Sequence, residues 1–222
     1  MTPDLYSTLE APIVLAVLSV SALVLCDSRR YRPGRYVFKP MAAAAFIWAA
    51  LAVDATSFGY GQWMLVGLCL CFLGDIALMA DAEPAFIGGL GAFLLGHLCY
   101  AVAFTHLAWT PDTLLVSALP VAALVYTTWR WLGPHTEGPL KFAVPLYIAV
   151  IAGMLLAAGM TVNEPAAMLI IGGAVGFAIS DLAVARQQFI KDSRLNGLWG
   201  TPLYFASQML LASSIAIQGA QL

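Results

Sequence analysis

GLCLCFLGDIALMADAEPAFIGGLGAFLLGHLCY, residues 67–100, is the stretch on which the reading of the chain turns. It holds two apolar runs of membrane-crossing length, with Asp75 inside the first and His97 and Tyr100 inside the second. A carboxylate in hydrocarbon costs at least about 2.5–3.5 kcal/mol on insertion scales, so one that is kept usually lines a cavity or a relay. A structural aspartate satisfied by a helix N-terminus or a hydroxyl is the alternative for Asp75.

Composition places that stretch in a membrane. Of 222 residues, 61% are hydrophobic and 10% charged, with mean hydropathy +0.86. So few charges cannot cover a soluble domain, and the chain is expected to be a polytopic membrane protein. A net charge of −2 offers no patch for nucleic acid. The opening MTPDLYSTLEAP has no Lys or Arg, so it lacks the basic start of a secretory signal and the first apolar run is expected to be retained. Cys26, Cys69, Cys71 and Cys99 read as packing thiols. Cys69 and Cys71, two apart on a helix, point to different faces and make neither a zinc knuckle nor a disulfide.

Eight runs approach the roughly 20 apolar residues a crossing helix needs. They are Leu5–Cys26, Val37–Val53, Gly61–Ala80, Pro84–Leu107, Asp112–Leu132, Pro139–Met160, Pro165–Gln187 and Leu198–Gln218. Short Pro-, Gly- and Asp-rich connections join them, so residues 1–222 are expected to be one all-α domain of eight transmembrane helices; lipid leaves the backbone no other way to satisfy itself. Arg29, Arg30, Arg32, Arg35 and Lys39 follow run one, Arg130 and Lys141 flank the fifth connection, and Arg186, Lys191 and Arg194 lie around the seventh. All ten basic residues thus fall at one end of an eight-helix bundle. Asp4, Glu10, Asp54, Asp112 and Glu164 occupy the other end, and the positive-inside rule then puts both termini on the non-cytoplasmic side.

A weak repeat runs through the chain. GLCLCFLGDIALMA at 67–80 resembles GAVGFAISDLAVA at 173–185, matching Asp75 to Asp181, and Pro40 and Pro145 precede these aspartates at nearly equal distance. Four helices separate the equivalents, which predicts a 4+4 parallel repeat; shared aliphatic composition is the alternative.

Depth organises the polar residues. With Lys39 opening helix two and Asp75 five residues from the end of helix three, Lys39, Asp75, Tyr147, Asp181, Tyr204 and Gln208 fall in one cytoplasmic layer, with His97 below it and Tyr100 on its face. Scattered structural polar groups need not agree in depth, whereas a cavity open to the cytoplasmic leaflet requires it. The tyrosines also suit an interfacial belt, Lys39 a snorkelling lysine and His97 a core histidine.

At these residues the chain resembles the YhhN family, which includes the mammalian lysoplasmalogenases. The likeness runs from Lys39 to Gln208 and rests on Lys39-Pro40, Gly74-Asp75, FIGGLGAFLLGHLCY at 86–100, Pro145-Leu146-Tyr147, Ser180-Asp181 and the run Tyr204 to Gln208. The resemblance implies an eight-helix hydrolase, in a bacterial inner membrane, that cleaves the vinyl ether bond of lysoplasmalogens to a fatty aldehyde and glycerophosphocholine or glycerophosphoethanolamine. Its partners would be the lysophospholipid substrate and membrane lipid, with no cofactor; oligomeric state is open. A vinyl ether hydrolyses by protonation at carbon and trapping of an oxocarbenium ion by water, and paired carboxylates manage a transition state of that kind in glycosidases. Asp75 and Asp181 are the expected acid and base, with His97 orienting or shuttling a proton. Lys39, Tyr100, Tyr147, Tyr204 and Gln208 are the expected substrate-binding residues, Lys39 toward the phosphate. A zinc hydrolase using Asp75, Asp181 and His97, and a proton-coupled carrier, are the rival readings. No GxSxG elbow supports a serine nucleophile at Ser180.

Overall fold

Residues 5–220 are described in a computed structural model, and no strand occurs among them. They form α1 (Leu5–Ser28), α2 (Arg32–Ala52), α3 (Gly59–Ala77), α4 (Glu83–Phe104), α5 (Thr113–Leu132), α6 (Leu140–Gly159), α7 (Ala167–Phe189) and α8 (Arg194–Gly219). Every expected run becomes one helix. Asp4, placed above at the end opposite the basic residues, lies outside the described residues.

The ends move where hydropathy and helix stop coinciding. α2 starts at Arg32 rather than Val37, because Pro33 in its first turn is preset for a helix start. α8 starts at Arg194, where the Ser193 hydroxyl accepts from Leu195 N at 3.4 Å. α3 stops at Ala77, short of Ala80. Three expected depths are corrected as a result. Lys39 lies two turns inside α2 instead of opening it, Asp75 lies two residues from the end of α3 instead of five, and Tyr204 lies ten residues into α8.

Six helices (α1 and α3 to α7) are long and apolar enough to cross a membrane, which makes this an integral membrane protein. α2 and α8 fall short of that criterion. α2 carries Arg32, Arg35 and Lys39, and α8 turns Asn196, Gln208, Ser214 and Gln218 into the bundle, where all four are buried. Each also leaves large apolar side chains exposed, among them Trp48 and Leu51 on α2 and Leu195 and Leu198 on α8.

The helices pack as consecutive hairpins, and glycines set the closeness of two of them. A Cβ on Gly96 of α4 would stand 2.8 Å from Cys71 Sγ of α3, and one on Gly200 of α8 would collide with Ala183 of α7. Small residues let the backbones of α3–α4 and α7–α8 approach where lipid supplies no hydrophobic push. α5 is the exception. It packs on α6, makes no comparable contact with α4 or α7, and leaves Leu115, Val116 and Leu119 74–79% exposed. At the end away from the basic residues, Glu164 accepts from Ala108 N (2.9 Å) and Gln218 Nε2 (3.1 Å), tying two connections to the end of α8.

Candidate active site

Two aspartates, one on α3 and one on α7, meet a single cavity. Asp75 is 2% exposed, with Lys39 Nζ 3.2 Å from its Oδ1 while the Tyr204 hydroxyl donates to its Oδ2 at 2.7 Å. The local cause lies in how α2 caps α3. The last carbonyls of a helix lack intrahelical donors. Arg35 Nη2 donates to Leu78 O at 3.1 Å, and the Tyr36 hydroxyl donates to Met79 O at 3.3 Å. That clamp sets the register of α2 on the end of α3, and one turn beyond Arg35 comes Lys39.

Asp181 has neighbours of another kind. The Tyr147 hydroxyl donates to its Oδ2 at 2.8 Å, and His97 Nε2 stands 3.5 Å from the same oxygen. His97 Nδ1 lies 2.7 Å from the carbonyl of Phe93, one turn back on α4. A carbonyl only accepts, so Nδ1 carries a ring hydrogen, and in the neutral ring Nε2 would face Asp181 without one. His97 is fully enclosed and stacks on Phe177, with centroids 4.0 Å apart and planes at 21°. Phe177 precedes Asp181 by one turn, so a single face of α7 presents both the carboxyl and the ring that holds its histidine.

The cavity has a volume of about 1240 Å³, and Lys39, Asp75, Tyr147, Asp181 and Tyr204 all line it. Arg30, Arg32, Arg35 and Arg194 stand at its mouth with Asp27 and Asp81, and Arg32 pairs with Asp81. Away from the mouth the lining turns apolar and follows α5 and α6.

Of the expected site residues, the structure brings five to the cavity wall and sets three behind it. His97 reaches the cavity through Asp181. The Tyr100 hydroxyl donates to Gln208 Oε1 at 2.6 Å and lies 3.7 Å from Cys71 Sγ, and neither Tyr100 nor Gln208 lines the cavity. They tie α4 to α8 within the core. Lys39, expected at a phosphate, is engaged with Asp75. The sequence reading missed Arg35, Phe93 and Phe177. Each sits one helical turn from a residue it did select (Lys39, His97 and Asp181), a spacing that would have found them. Among the described residues no group of three His, Cys, Asp or Glu side chains is arranged to hold a metal ion.

Comparison with known proteins agrees on one family. The model described as the YhhN family matches residues 34–215. The chain is 32% identical over 181 residues to a lysoplasmalogenase of Mycobacterium bovis, covering 78% of this chain and 67% of that protein. It is 31% identical over 160 residues to human lysoplasmalogenase TMEM86A, covering 68% and 64%. It is 26% identical over 197 residues to the uncharacterized membrane protein YhhN of Escherichia coli O157:H7, covering 82% and 86%. The chain thus spans about two thirds of the length of these two lysoplasmalogenases. No solved structure matches significantly.

Proposed function

The chain belongs to the YhhN family, and on that premise we propose that it is an intramembrane hydrolase of lysoplasmalogens, releasing a fatty aldehyde and a glycerophospho-headgroup. The observation that carries the proposal is the unlike setting of two carboxyls in one cavity, between a charged mouth and an apolar arm. The ammonium of Lys39 beside Asp75 marks it as the ionised member. Asp181 has no such cation beside it among the described residues, and a bare imidazole nitrogen facing its oxygen makes a favourable contact when a proton lies between them. Asp181 is therefore the acid.

The reaction follows from these places. Asp181 gives its proton to the vinyl carbon remote from the ether oxygen, and the resulting oxocarbenium ion faces the ionised Asp75. Water oriented by Asp75 and Tyr204 adds to the carbon bearing oxygen, and its surplus proton returns to Asp181. The hemiacetal then passes its hydroxyl proton to the departing glycerol oxygen as the C–O bond breaks. One water is consumed and the acid is restored. Tyr147 and His97 hold Asp181 in place throughout.

The architecture around the site supports a duplicated origin. α2 and α8 hold the α3 aspartate through Lys39 and Tyr204; α6 and α4 hold the α7 aspartate through Tyr147 and His97. Advancing four helices exchanges one set for the other, as a 4+4 parallel repeat would. We extend the proposal to eight crossing helices, with α2 and α8 each turning apolar side chains such as Trp48, Leu51, Leu198 and Leu210 outward, and to a cytoplasmic mouth in a bacterial inner membrane with both termini outside. The test is release of aldehyde from a vinyl ether lysolipid by purified protein. Asp181→Asn should lower turnover about 10²–10⁴-fold, the usual weight of a general acid, with unchanged thermal stability. Full activity in that variant would refute the pair mechanism.

A further inference from the structure

The part of the cavity beyond the carboxyls takes no part in the chemistry above, yet it has a definite shape. Two helices each turn an apolar stripe into it, Val121 and Leu124 from α5 and Ile151 and Leu155 from α6, while Ile87 and Leu90 of α4 line the cavity nearer its mouth, where the adjacent Phe86 meets Phe189 at the end of α7. It continues on α6 from Tyr147, level with Asp181, to Leu155. That is eight residues, or about 12 Å at 1.5 Å per residue. The chains of one leaflet span about 15 Å, half the ~30 Å hydrocarbon core. The arm thus runs along most of a leaflet, parallel to its chains.

Its side is not closed. α4 and α5 both border the cavity, but α5 packs on α6 and makes no comparable contact with α4. Ile87, one turn into α4, lines the cavity near its mouth while 49% exposed, which puts an open rim between α4 and α5 at that level. The whole cavity, mouth included, holds about 1240 Å³, more than the 300–1,000 Å³ of ordinary small-ligand pockets. Charged mouth, carboxyl pair and apolar arm follow one another in the order of headgroup, reactive bond and tail in a single-chain lipid.

We propose that the arm between α5 and α6 is the site of the aliphatic chain, entered sideways from the bilayer through the α4–α5 cleft, and that Ala152 on α6 is a determinant of chain length. This deepens the hydrolase reading and rests on it for the identity of the reactive bond. Ala152 lines the arm about 8 Å beyond Tyr147, so a large side chain there divides it. A shorter tail still fits above the obstruction. A tail of leaflet length does not.

The test has two arms on protein in nanodiscs. In the first, a lysophospholipid carrying a diazirine near the methyl end of its chain is photolysed and the labelled peptides are mapped. Label on α5 between 121 and 125 or on α6 between 151 and 155 is expected, whether or not the protein turns the probe over. Label confined to α1, α3 or α8, or to the mouth, overturns the proposal. In the second, wild type and Ala152→Trp are compared on vinyl ether lysolipids with chains of 8 and 16 carbons. The ratio of kcat/KM for the long to the short substrate should fall at least tenfold in the variant. An unchanged ratio in protein of wild-type melting temperature overturns it. If wild type makes no aldehyde while the diazirine labels the arm, the hydrolase reading fails and the chain site stands.

Discussion

Removing the ammonium of Lys39 separates two roles that the structure gives it. Lys39 and Asp75 form a largely enclosed ion pair, with side chains 13% and 3% exposed and 3.2 Å between Nζ and Oδ1. At an effective dielectric of ~20 that separation corresponds to about 5 kcal/mol of attraction before desolvation. Deleting one member of a buried pair costs about 3–5 kcal/mol, because the other charge is left without compensation. For a chain of this size 1 kcal/mol moves Tm by about 2–4 °C on the soluble-domain scale. Lys39→Met should therefore lower Tm by roughly 6–20 °C. Replacing both members removes the stranded charge, so Lys39→Met with Asp75→Asn should recover most of that loss, since a buried pair replaced by neutral groups is often no worse than the pair itself. Activity should follow a different course and stay lost in Lys39→Met, in Asp75→Asn alone and in the double variant, since each lacks an ionised Asp75 held by a cation. Melting followed by tryptophan fluorescence, with aldehyde release measured on the same preparations, gives both readouts. Additive losses of Tm in the double variant would refute the ion pair. Turnover recovered along with stability would refute a catalytic role for Asp75.

Each aspartate also leans on a phenol. Tyr204→Phe and Tyr147→Phe each remove one hydrogen bond to a carboxyl, worth about 1.5–3 kcal/mol when the group is charged. Turnover should fall about 10- to 150-fold for Tyr204→Phe, and less for Tyr147→Phe because its partner is the neutral acid; equal losses would count against that assignment of charge. Gly96→Leu should prevent stable folding, since even a Cβ there stands 2.8 Å from Cys71 Sγ, and size-exclusion chromatography of the solubilised protein reads the outcome.

How far the sequence could be read followed what each signal reports. Apolar runs broken by Pro, Gly and Asp gave eight helices in the right places, because lipid imposes a length and a composition on whatever crosses it. The same signal misplaced Lys39 and Tyr204, because it marks where hydrocarbon begins; α2 and α8 both start earlier, in polar Arg-rich turns. Shared depth was enough to group Lys39, Asp75, Tyr147, Asp181 and Tyr204. It was not enough to separate them from Gln208, or to tell that Gln208 and Tyr100 lie on the core side of their helices, or to pair each group with its partner. Rotation about the helix axis decides those points, and in nearly uniform apolar helices the sequence carries little rotational information. The tautomer of His97 was out of reach for the same reason, since it depends on a bond to the Phe93 carbonyl.

The order in which partners appear along the chain bears on how such a site can be made at all. A ribosome produces about 5–20 residues per second, and the Tyr204 that completes the setting of Asp75 lies 129 positions after it. Asp75 therefore spends roughly 6–26 s in the nascent protein before Tyr204 exists. Lys39, on the helix just before, is already synthesised when Asp75 emerges. Asp181 likewise follows Tyr147 by 34 positions and emerges with both Tyr147 and His97 already in place. Asp75 and Asp181 are thus each made after a partner, and α8, made after both, closes a cavity whose carboxyls already have neighbours.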